Sequence, residues 1–136
     1  MKRGSKEVKR SLKLSAVALG AALLVPGLAT AAQADTRDCP EVEFCLFYNS
    51  NQQGSHMVVQ DSTPDLAGYT FTSPGNGRGQ RVKNNAASAV SNVCVTVTVF
   101  YNSNYSGPSD MFNYRNAKNL VNTYNENASV KFARDC

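Results

Sequence analysis

The pentapeptide Phe-Tyr-Asn-Ser-Asn occurs twice, at residues 47–51 and 100–104, and each copy reaches a glycine seven residues after its phenylalanine, at Gly54 and Gly107. The copies are spaced by 53 residues. An aromatic segment that runs into a polar turn and a fixed glycine reads as a β-hairpin. Its duplication predicts two similar β units that bury their faces against each other. Residues 43–48 are expected as the first strand, 49–53 as its turn and 55–60 as the returning strand. Val93, Val95, Val97 and Val99 alternate with Cys94, Thr96, Thr98 and Phe100, a period-2 signal for one long strand. Residues 101–107 then turn the second hairpin, and 109–113 return.

Charge has to be assessed after setting aside residues 1–34, which read as a secretory signal peptide. Lys2, Arg3, Lys6, Lys9, Arg10 and Lys13 precede an apolar stretch over 14–28, and Ala32-Gln33-Ala34 supplies small residues for cleavage after Ala34. A membrane anchor would need about 20 continuous apolar residues, and Gly20, Pro26 and Gly27 interrupt this one. The predicted product is secreted, with no membrane association after cleavage. The remaining 102 residues carry eight basic and nine acidic side chains, a net charge of −1. The basic character of the full chain therefore belongs to the leader, and nucleic-acid binding through a global positive field is excluded.

Residues 35–136 have the length of one domain, too small for a large core, so covalent staples are expected. All four cysteines, Cys39, Cys45, Cys94 and Cys136, fall in the exported part. An even count in a small secreted domain predicts two disulfides, with three connectivities open. Cys39–Cys45 with Cys94–Cys136 is the expected pairing. The first closes a short loop before strand one, and the second ties the last residue to the central strand. The spacings contain no CxxC that would favour a metal site.

The repeat extends past the hairpins. Leu66 matches Leu120, each in a stretch able to form a helical turn, and residues 84–88 (Asn-Asn-Ala-Ala-Ser) match 125–129 (Asn-Glu-Asn-Ala-Ser). Between these landmarks the first copy holds 13 extra residues. The insertion contains 73–83, with Gly75, Gly77 and Gly79, and that segment is too glycine-rich for a sheet interior. It is expected as a long, flexible, exposed loop. Arg78, Gly79, Gln80, Arg81 and Val82 are its candidate partner-contacting residues, against the alternative of a solvated linker.

Catalysis is not expected. His56 is the one histidine, the cysteines are expected to be oxidised, and zinc chemistry needs several ligands. Glu41 and Glu43 form the most suggestive pair of acids, and strand alternation would place them on one solvated face. Tyr48, Tyr101, Tyr105, Tyr114 and Tyr124 could stack on sugars, but aromatics at hairpin positions more often belong to the fold.

An aromatic, a glycine seven residues on, and an Asn-rich pentad ending in serine together resemble the βγ-crystallin Greek key. The second copy, with Phe100, Tyr105 and Gly107, fits all three signature positions, whereas the first has Gln52 where an aromatic is usual. The resemblance implies an all-β fold in which two Greek keys form a sandwich of two four-stranded sheets, with each glycine at positive φ. Within that superfamily, Cys39-Pro40-Glu41-Val42-Glu43-Phe44-Cys45 followed by an aromatic hairpin resembles the opening of the actinobacterial secreted metalloproteinase inhibitors. That resemblance implies a monomeric, non-enzymatic inhibitor of extracellular thermolysin-like metallopeptidases that occludes the cleft with a loop. The family's better-studied loop is held by a second local disulfide, and this chain has no second short cysteine loop. The βγ-crystallin resemblance also implies an alternative, an extracellular binding or structural module with a wall-binding or toxin-like role. No cofactor is required in either reading. Weak calcium binding would use Asn85, Ser88, Glu126 and Ser129, which match the family's pattern incompletely and include one acid.

Overall fold

The computed structural model describes residues 38–136; the expected signal peptide, 1–34, lies outside the described residues. Seven strands form: β1 Phe44–Asn49, β2 Gln53–Val59, β3 Ser88–Ser91, β4 Val97–Asn102, β5 Ser106–Phe112, β6 Asn116–Asn119 and β7 Ser129–Phe132. They assemble into a four-stranded sheet ordered β2-β1-β3-β6 and a three-stranded sheet ordered β5-β4-β7. All ladder pairings are antiparallel.

The repeat in the sequence is a repeat in three dimensions. Register slips between Phe47 and Asn49 in one hairpin and between Phe100 and Asn102 in the other. The turns place Asn51 and Gln52, and then Asn104 and Tyr105, at φ between 56° and 61°. Gly54 and Gly107 follow at φ 77° and 84°, the left-handed backbone expected of them. A methyl group on Gly107 would meet the Asn102 side chain at 2.6 Å.

The keys exchange their third segments. β6 belongs to the second key by sequence but pairs with β3 of the first. Reciprocally, Thr63 of the first key bridges Val130 on β7, each N–H donating to the other's carbonyl. The expected fourth strand of the second sheet is thus a single bridge. Pro64 follows Thr63 and has no N–H with which to continue a ladder.

Two other expectations are corrected. The long strand over 93–100 begins at Val97; Val93 and Val95 pack on the core from a bend, so the alternation of valines outran the pairing. The helical turn near Leu66 forms as a 3-10 turn, Leu66–Gly68, with Asp65 accepting from the N–H of Ala67. At Leu120 no helical turn forms. Both leucines are nevertheless buried, and their amides cross between keys, Leu66 N–H to Ala128 O and Leu120 N–H to Ala87 O.

The core lies between the sheets, with Phe44, Leu46, Phe71, Val97, Val99, Phe112 and Val130 fully buried. Phe44 and Phe112 meet edge to face at 5.4 Å across it. β1 is buried on both faces. Phe44 and Leu46 point into the core, while Cys45 and Phe47 point outward into a second cluster with Cys39 and Val90. Cys39 is bonded to Cys45 and Cys94 to Cys136, the expected pairing.

Candidate functional site

The insertion was expected to be a free loop, and it forms a strap folded over the first hairpin. Its ends pair at Thr70 and Arg81, and Phe71 and Gln80 sit within the same turn-back, the Phe71 N–H donating to Gln80 O and the Gly79 N–H to Phe71 O. Ser73 joins the strap to β2: its Oγ accepts from the His56 N–H at 2.7 Å, and its N–H donates to His56 O at 3.2 Å. Asn76 O accepts from the Ser55 N–H at 2.8 Å. Gly77, at φ 88°, lies directly over the Tyr48 ring, and that ring meets Phe71 edge to face at 5.5 Å.

Of the five candidate residues on the insertion, Arg78, Gly79, Gln80 and Arg81 are exposed and lie together on the strap. Val82 is fully buried in the core and presents no side chain to a partner. It is apolar and β-branched, and burying it anchors the strap's end. Lys83 continues the anchor, reaching Asp65 at 2.9 Å and Ser103 at 3.0 Å. That bond holds the exposed Asp65 carboxyl below the usual aspartate range.

The four residues considered for calcium divide by key. Ser88 Oγ donates to Asn49 O at 2.6 Å and accepts from the Gln52 N–H at 2.9 Å. Ser129 Oγ makes the same two bonds in the second key, to Asn102 O at 2.7 Å and from the Tyr105 N–H at 3.0 Å. Each serine thus locks its own hairpin turn. The Asn85 amide donates to Arg81 O and Lys83 O, while Glu126 is exposed. Among the described residues, no group of three or more His, Cys, Asp or Glu side chains converges as a metal site. We expect Ser88→Ala and Ser129→Ala each to cost about 1–2 kcal/mol, because each removes a buried hydroxyl that bonds both a carbonyl and an N–H of its hairpin turn. Urea unfolding in the presence of a chelator reads this cost without any contribution from calcium.

His56 sits against the Phe47 ring at 5.1 Å, and burial lowers its pKa. Among the described residues no cysteine is free to serve as its nucleophile. Glu41 and Glu43 lie in the turn before β1, not on a strand face, and Glu43 accepts a bond from Gln60.

That turn lies in the short loop expected from the Cys39–Cys45 bond, but the sequence did not reveal the shape of its tip. The disulfide loop 39–45 folds across the outer face of the first sheet, and Val42 stands at its tip with φ 61° and 77% of its surface exposed. A β-branched residue in left-handed backbone is strained and persists only where its surroundings impose it. Here Asn92 imposes it: its side chain donates to Cys39 O at 3.0 Å and Pro40 O at 3.2 Å, and its N–H donates to Glu43 O at 2.9 Å. Beside the loop runs a groove of about 510 Å³ lined by Glu41, Val42, Val90, Tyr114, Arg115 and Ala117, among others. Its floor is set by register, since Val90 pairs with Cys45 on one side and Ala117 on the other.

The molecule therefore carries two pinned surface segments, the strap over the hairpin turn and the disulfide loop at the opposite end of β1. The family model of peptidase inhibitor family I36 matches residues 32–112. No curated protein matches the chain. Several solved structures share its fold, among them the following three. One, described as showing the evolution of the eye-lens βγ-crystallin domain fold, is 13% identical, with a TM-score of 0.54 over 70% of this chain and 89% of that one. A βγ-crystallin from Ciona intestinalis is 21% identical, with a TM-score of 0.50 over 67% and 99%. The N-terminal domain of protein S is 19% identical, with a TM-score of 0.52 over 67% and 94%. At these identities the likeness establishes the βγ-crystallin fold and nothing about ligands.

Proposed function

Because the chain belongs to peptidase inhibitor family I36, we propose that it is a secreted inhibitor of an extracellular metallopeptidase of the thermolysin-like class. The family is one of inhibitors, not of enzymes. The observation that carries the reading is the extent of the match, which takes in the disulfide loop, the strap and β1 to β5. The mechanism is occlusion of the active-site cleft by an ordered surface segment. Ordering a loop on binding costs free energy, so a segment already fixed in the free protein binds more tightly and is cut more slowly. Both pinned segments meet that requirement.

The test is a titration of the purified, oxidised protein against a thermolysin-type peptidase at fixed substrate. Stoichiometric loss of activity, with the inhibitor recovered uncut, is the expected result. Undiminished activity in the presence of excess folded protein would count against this peptidase class.

The βγ-crystallin fold favours a second reading, an extracellular module with weak calcium binding. Its signature would be a rise in melting temperature at millimolar calcium that both serine variants lose.

A further inference from the structure

We infer that the disulfide loop 39–45, rather than the strap, is the segment that enters the peptidase cleft, with Val42 as the side chain seated in an apolar pocket of the enzyme. This inference rests on the inhibitor reading and specifies which surface carries it.

Three features select the loop. The first is presentation: Val42 is apolar, 77% exposed and at the apex of a loop closed by a disulfide. Because Asn92 holds the carbonyls of Cys39, Pro40 and Glu43, the tip is rigid before any partner arrives. The second is continuity. The groove beside Val42 has a floor of Val90 and Ala117, and Tyr114 on its far side is 54% exposed. A ridge next to a trough of mixed polarity, with Val90, Ala117 and Tyr114 beside Glu41 and Arg115, fits the rim of a cleft better than a lone projecting side chain does.

The third feature is charge. Asp38, Glu41 and Glu43 flank Val42, and residues 38–45 contain no Lys or Arg; Arg115 is the cation across the groove. A metallopeptidase cleft holds a divalent cation that a carboxylate can ligate and a guanidinium, which has no lone pair to offer, cannot. The strap presents Arg78 and Arg81 and is the poorer electrostatic match. The two segments lie at opposite ends of β1, roughly 17 Å of strand apart, so each can be changed without touching the other.

The experiment compares four proteins against a thermolysin-type peptidase: the wild type, Val42→Asn, Val42→Gly, and the double variant Arg78→Ala/Arg81→Ala. Both Val42 replacements accept positive φ more readily than valine does, so their melting temperatures are expected to hold or rise. Val42→Asn also keeps a side chain at the tip, which controls for the flexibility glycine adds. Losing a buried valine contact is expected to weaken inhibition roughly 10- to 100-fold in both, while the double arginine variant inhibits like the wild type. Undiminished inhibition by Val42→Asn and Val42→Gly would overturn the inference and leave the inhibitor reading standing. So would loss confined to the arginine variant. A wild-type protein that does not inhibit would overturn the inhibitor reading and this inference with it.

Discussion

Replacing Gly77 with alanine is expected to lower stability by about 3 kcal/mol, a fall of roughly 15 °C in melting temperature for a domain of this size. Two costs combine. The backbone at φ 88° disfavours any side chain, and the new methyl group would lie on the Tyr48 ring. Tyr48 cannot simply retreat, because its ring is packed edge to face against Phe71, which is buried in the core. The strap is therefore expected to lift from the hairpin, opening the bond between the Ser55 N–H and Asn76 O. Circular dichroism melts measure the loss, and hydrogen exchange at Ser55 and His56 reports whether the strap has lifted. Normal protection at both amides would show that the strap is held by its ends alone.

Asn127→Ala is expected to be at least as damaging, at about 3–4 kcal/mol. Asn127 comes from the second key and is fully buried, yet its side chain serves the first. Oδ1 accepts from the Ala86 N–H and Nδ2 donates to Val82 O, both at 3.0 Å. Its own carbonyl accepts from the Asn84 N–H. Truncation leaves a buried donor and a buried acceptor without partners in the pentad turn of the other key. Asn127→Asp separates the two bonds, since a carboxylate still accepts from Ala86 but places charge against the Val82 carbonyl. Chemical denaturation of both variants is the measurement, and a loss below 1 kcal/mol for alanine would mean water replaces the amide.

These positions show where the sequence was legible. The hairpins, their glycines and both disulfides were readable because each leaves a local mark: an aromatic-to-glycine spacing or an even cysteine count. Ser88 and Ser129 were readable as equivalent positions because the pentads repeat, but their bonding partners in the hairpin turns were not. The strap was not. Glycines at 75, 77 and 79 look like flexibility in a sequence, whereas here the backbone lies against an aromatic ring at Gly77. Asn127 occupies the pentad position that Ala86 holds in the first key, so its difference was visible but its partner was not.

Asp110 escaped for the same reason. It is buried on β5 and accepts from the backbone N–H groups of Val121 and Thr123 and from the Thr123 hydroxyl. Nothing near it in the sequence announces a turn 11 to 13 residues away. Val42 left no mark at all, because the residue type gives no hint that its backbone is left-handed.

The exchange of third segments has a consequence for how such a duplicated chain can exist at all. β6 closes the edge of a sheet whose other strands come from the first key, and Thr63 caps the edge formed by β7 of the second. Split the chain between residues 91 and 97 and each half would hold an open sheet edge, with Leu66 or Leu120 deprived of the carbonyl it bonds. Two copies of a self-sufficient module could drift apart or be lost singly. These two cannot, because each carries a piece of its sibling, and the smallest unit on which folding or selection can act is the pair.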